Sequence, residues 1–91
     1  MKPVVLLNLL SRGVEEGLAT MAPFLASLVA DHPLFVLSQA GETVTEDLLE
    51  RRRVSYDGLL LDGDEGAATV VLERLGYGPV LTMDIGQEGD A

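Results

Sequence analysis

Two patterns of apolar positions alternate along the chain. Residues 4–10 form an unbroken run of Val and Leu around Asn8, ended by Ser11, Arg12 and Gly13. A short run without alternation predicts a strand covered on both faces, as in a parallel sheet. Over residues 14–30 the apolar side chains recur at helical spacing, at Leu18, Met21, Ala22, Leu25, Leu28 and Val29. Glu15 and Glu16 occupy the first turn, where the helix dipole favours acids. Pro23 interrupts this pattern. Proline removes a backbone hydrogen bond and crowds the preceding turn, so a kink there, or a helix beginning near Ala22, is expected.

His32 and Pro33 end that helix, and residues 34–38 read as a second apolar strand. After a loop containing Gly41, Thr43 and Glu46 spell a capping box for a helix that packs Val44, Leu48 and Leu49. Arg51, Arg52 and Arg53 follow at its end, where cations complement the dipole, a plainer reading than a ligand site. Residues 59–61, three leucines, predict a third buried strand. Residues 62–66 are an acidic turn with Asp64 as N-cap, and a helix through Val70, Val71, Leu72 and Leu75 stops at Gly76 as its C′ glycine. Gly78 and Pro79 turn into a fourth strand over residues 80–85, and residues 86–91 are expected to form a frayed acidic tail. The order βαβαβαβ predicts one α/β domain over residues 1–91, with a parallel sheet, right-handed crossovers and helices on both faces.

Composition narrows the chemistry. The chain has 91 residues, none of them cysteine, and His32 and Lys2 are its single histidine and lysine. Disulfides, thiolate metal sites and cysteine nucleophiles are therefore excluded, and the composition fits a cytoplasmic protein. A net charge of -9 repels nucleic-acid phosphates, and no basic stripe offsets it. No apolar run reaches the ~18 residues that span a bilayer, and Arg12, Glu15 and Glu16 interrupt the N-terminal run where a signal peptide would need its apolar core and cleavage site.

Ligands of open parallel sheets bind beyond the carboxyl ends of the strands. Those ends carry Asn8 and Ser11, Ser38 and Gln39, Asp62 and Asp64, and Asp84. Asn8, Ser38 and Gln39 are the candidate ligand-binding residues. Asp62, Asp64 and Asp84 are the candidate metal ligands, able to hold Mg²⁺ if the strand ends converge; the plainer reading of the first two is a turn aspartate and an N-cap. Neither glycine-rich nucleotide fingerprint is present, and no cofactor is expected beyond that magnesium.

The segment "FVLSQAGETVTEDLLERRRVSYDGLLL", with "KPVVLLNLL" before it and "GPVLTMDIGQEGDA" after it, resembles the haloacid dehalogenase-like (HAD) superfamily of phosphotransferases. The resemblance covers about four-fifths of the chain. It implies a phosphate-binding role for Ser38, a magnesium aspartate at Asp84, and a four-stranded sheet in the order 3-2-1-4. It also exposes departures. Asn8 stands at the nucleophile position and Leu10 at the general acid/base position, no lysine serves the third motif, and there is no room for a flap or cap. A second resemblance, to glutaredoxin, runs through "LLERRRVSYDGLLLDGDEGAATVVLERLGYGPV". There Pro79 matches the family's cis-proline, and residues 40–43 stand where its two cysteines belong. In a glutaredoxin-like fold the fourth strand runs antiparallel to its neighbour.

The leading expectation is therefore a non-catalytic HAD-like module that binds a protein partner or itself. A homodimer is expected through the apolar edge formed by the third strand, because exposed edges invite pairing. The alternatives are an atypical magnesium-dependent phosphatase using Ser38, Asp62 and Asp84, and a redox-dead glutaredoxin-like adaptor.

Overall fold

The computed structural model describes residues 2–61 and 63–87. Along them run β1 (Lys2–Leu9), α1 (Val14–Asp31), β2 (Leu34–Ser38), α2 (Glu42–Arg51), β3 (Gly58–Leu61), α3 (Glu65–Arg74) and β4 (Tyr77–Ile85). The strands form one sheet in the order β3-β2-β1-β4, and every neighbouring pair is parallel. This is the expected Rossmann-like α/β architecture, and β4 lies parallel to β1.

The unbroken apolar run of β1 follows from its central place. Val4, Val5, Leu6 and Leu7 are at most 1% exposed, because strand alternation sends them in turn to two covered faces. Val5, Leu7 and Leu9 pack with Val36 against Leu18 and Leu25 of α1 and Leu48 and Leu49 of α2. Val4 and Leu6 pack with Leu37 against Ala68 and Leu72 of α3. The crossover from β3 to β4 carries α3 to the face opposite α1 and α2.

Four local expectations change. First, α1 runs through Pro23 as one helix, so it does not begin near Ala22. Ala19, whose carbonyl loses its partner, and Pro23 are both exposed, so water can reach that carbonyl. Burial of Leu18 and Leu25 on either side, roughly 1.5–3 kcal/mol each, offsets the ~3 kcal/mol that an internal proline costs. Second, no capping box forms. α2 starts at Glu42 behind Gly41, which has φ 94° and no side chain to cap with; Thr45 rather than Thr43 ties the helix start to the loop. Third, β4 begins at Tyr77, with Gly78 and Pro79 inside it; Pro79 is tolerated because β4 is an edge strand. Fourth, Gly86 and Gln87 are not frayed. Gln87 exchanges two backbone hydrogen bonds with Arg12, of 3.1 and 2.7 Å; the rest of the expected tail, residues 88–91, lies outside the described residues.

The other helix signals hold. Asp64 Oδ1 accepts from the Ala67 amide at 2.7 Å as the N-cap of α3, and Gly76 follows that helix with φ 94°. No helix among the described residues is long and apolar enough to cross a membrane.

Candidate functional site

The strand ends bring together fewer of the candidate residues than their spacing in the sequence suggests. Asn8 and Asp84 are register partners on β1 and β4. The Asn8 amide Nδ2 donates to Asp84 Oδ1 at 3.1 Å. Both alternate in phase with Val4 and Leu6, so they face α3. Just beyond them the backbone closes. The Leu10 amide donates to the Ile85 carbonyl at 3.0 Å, and the Arg12–Gln87 pair completes a clasp over the gap between β1 and β4. Gly86, at φ 97°, packs so tightly under the Arg12 carbonyl that any Cβ would collide with it. This gap is the topological switch point, where open α/β sheets usually receive their ligands.

Ser38 lies elsewhere. It follows Leu34 and Val36 in alternation, so its side chain faces α1 and α2, on the side of the sheet opposite Asn8. It pairs in register with Leu9, while Asn8 pairs with Leu37. Ser38 is 1% exposed, and its Oγ accepts from the Ala40 amide at 3.1 Å. Thr45 Oγ1 is 2.9 Å from Ser38 Oγ and 2.7 Å from the Gly41 carbonyl. A carbonyl only accepts and each hydroxyl has one proton, so both contacts form only when Thr45 donates to Gly41 and Ser38 donates to Thr45. The Ser38 hydroxyl thereby fastens α2 to β2, and its proton is already engaged.

Gln39 is exposed, and its Nε2 donates to the Gly63 carbonyl, bridging the ends of β2 and β3. Asp64 and Asp84 stand apart. Asp64 follows β3 and Asp84 ends β4, the two outer strands of the sheet. Three interstrand spacings, roughly 14 Å, separate those strands. Asp62 lies outside the described residues, and among the described residues no group of three His, Asp or Glu side chains could hold a metal.

Two hollows open at this end of the sheet. A cavity of about 250 Å³ lies between the starts of α1 and α2, lined chiefly by Leu9, Leu10, Val14, Val44 and Leu48. A second, of about 300 Å³, lies on the α3 side over Asn8, Leu37, Asp64 and Glu65. Leu9, Leu10, Ser11 and Gln39 line both, so the two are halves of one groove across the ends of β1 and β2. Sequence reasoning assigned Val44 and Leu48 to packing and missed Thr45. A signal was present: Gly13 and Gly41 both precede helices at the same end of the sheet, which sets Val14 and Val44 on facing first turns.

The arginines serve the scaffold more specifically than dipole complementarity suggests. Arg51 Nη1 and Arg52 Nη2 both reach Glu15 Oε1, at 2.9 and 3.0 Å, tying the end of α2 to the start of α1. Arg51 also meets Asp47 at 3.1 Å. Arg53 has φ 57°. No family model, curated protein or solved structure matches the chain.

Proposed function

We propose that this chain is a non-catalytic, HAD-like binding module of the cytoplasm, acting through contact with a protein partner or with a second copy of itself. The observation that carries the reading is Asn8, at the end of β1, bound to Asp84 beneath the Arg12–Gln87 clasp. A HAD-like reaction needs a carboxylate nucleophile at that position, and an amide cannot take its place. Leu10 cannot protonate a leaving group. Ser38, the residue expected to hold phosphate, points to the other face, where its hydroxyl is hydrogen-bonded to Thr45. The parallel pairing of β4 with β1 favours this reading over the glutaredoxin-like one.

The test is hydrolysis of p-nitrophenyl phosphate with Mg²⁺ by the wild type, Asn8→Asp and Asp84→Ala. None is expected to exceed buffer. Restoring the carboxylate alone leaves the general acid missing, and that group ordinarily supplies about 10²–10⁴-fold. Wild-type turnover that disappears in Asp84→Ala would overturn the reading in favour of a magnesium-dependent phosphotransferase.

A further inference from the structure

We infer that the groove across the ends of β1 and β2 docks a basic peptide segment of a protein partner, seating one aliphatic side chain in its apolar half and a neighbouring Arg or Lys against its acidic half. This rests on the reading of the chain as a protein-contact module and specifies the partner's chemistry.

The apolar half is open, not a sealed packing defect. Val44 leaves 60% of its surface exposed at its mouth, although an apolar side chain gains by burial. The volume of about 250 Å³ admits one side chain of leucine or phenylalanine size. The acidic half joins it directly through Leu9, Leu10, Ser11 and Gln39, and is bordered by Asp64 and Glu65, with Asp84 next to Asn8. Neither half is lined by a lysine or arginine.

The charge around the groove selects the occupant. Arg51 and Arg52 answer Glu15, but Glu16 and Glu42 stand in the first turns of α1 and α2, near Val14 and Val44. With Asp64 and Glu65 bordering the acidic half, acids outnumber the one nearby cation, Arg12 beside Ser11, within a chain of net charge -9. That excess opposes an anionic ligand despite the two helix N-termini nearby, and it opposes a second copy of this chain. It steers cations in. An apolar anchor beside a positive charge satisfies both halves at once.

The full ¹⁵N-labelled chain is titrated with N-acetyl-Leu-Arg-Leu-Arg-amide and with the Leu-Gln-Leu-Gln and Leu-Glu-Leu-Glu counterparts, at 25 mM and 500 mM NaCl. The arginine peptide is expected to shift the amides of Leu10, Ser11, Val44 and Glu65. It should bind about tenfold more tightly than the glutamine peptide at low salt, and within about twofold of it at high salt, where screening is strong. Val44→Gln and Glu65→Gln, both at exposed helix positions, should each weaken binding at least threefold with unchanged thermal melts. Equal binding of the three peptides, shifts centred elsewhere, or no shifts at all would overturn the inference. Shifts at these amides that depend on protein concentration alone would assign the groove to a second copy instead. Assaying the same samples for p-nitrophenyl phosphate hydrolysis separates the two claims: turnover defeats the binding-module reading, whereas absent shifts without turnover defeat only the peptide.

Discussion

The end of α2 offers a sharp energetic test, because a helix-stop signal is carried there by an arginine. After the C-cap Arg52, the Arg53 amide donates to the Glu50 carbonyl at 3.0 Å and the Val54 amide to the Leu49 carbonyl at 2.9 Å. Val54 packs against the cluster that includes Leu48 and Leu49. This is a Schellman motif with Arg53 as C′ residue, and it forces Arg53 into the left-handed region at φ 57°. That conformation costs a residue with a Cβ about 1–2 kcal/mol, whereas glycine adopts it freely at the expense of about 0.5–1 kcal/mol of extra chain entropy. Substitution of Arg53 also removes a cation near the helix end, worth about 0.3–1 kcal/mol. The clean comparison is therefore Arg53→Gly against Arg53→Ala, since both lose the charge. The glycine variant should be the more stable by about 0.5–1 kcal/mol, inverting the usual helix ranking of the two residues. In a domain of this size that is a gain of several degrees in Tm, at about 4–8 °C per kcal/mol. Urea melts of the two variants measure it. The control is Gly76→Ala at the end of α3: Gly76 has φ 94°, and a Cβ there would meet no atom within 4 Å, so its cost of about 1 kcal/mol is purely conformational. Equal stability of Arg53→Gly and Arg53→Ala, beside a clear loss in Gly76→Ala, would refute the left-handed assignment of Arg53.

Three further predictions follow from the contacts. Asn8→Asp replaces the amide that donates to Asp84 with a second carboxylate directly across the strand pair; at this exposed position the like charges should cost at most about 1 kcal/mol at pH 7, as urea melts beside the wild type would show. Glu15→Gln removes the shared partner of Arg51 and Arg52, but those side chains are 35–53% exposed, so the loss should stay under about 1 kcal/mol and shrink at 0.5 M salt. The outer edge of β3 is open and its three leucines are only half-buried; light scattering at high micromolar concentration should report a dimer, Leu60→Lys should return it to monomer, and a monomeric wild type would remove the edge-pairing proposal.

Much of the fold was legible because the signals were local or obligatory. A strand of continuous Val and Leu must be covered twice, which placed β1 in the interior; Asp64 and Gly76 mark the ends of α3 with residue types that few other positions demand. The illegible parts were those where one residue replaced the usual one, or where packing overrode a propensity. Arg53 takes a glycine's place, so the end of α2 resembled a plain basic run. Pro23 argued for a kink or for a helix starting near Ala22, and the burial of Leu18 and Leu25 supports a helix that starts at Val14 instead. Thr43 and Glu46 matched a capping box, yet the tie at this helix start runs from Thr45 to Ser38, a contact across a loop that no helix template contains.

Asn8 and Ser38 line the two halves of the groove from opposite faces of the sheet, and the reason is one of phase. Asn8 and Ser38 both end strands of adjacent position, and the sequence places each at the correct end of the sheet. Whether two such side chains meet depends on interstrand register and pleat. Leu9, not Asn8, lies opposite Ser38, so the pleat sends Asn8 toward α3 and Ser38 toward α2. A slip of one residue in either strand would bring them to the same face, but it would also turn that strand's apolar set outward on one side and inward on the other. Asn8 finds Asp84 on one face, and Ser38 finds Thr45 on the other. These polar pairs engage Asn8 and Ser38, two of the residues expected to bind a ligand.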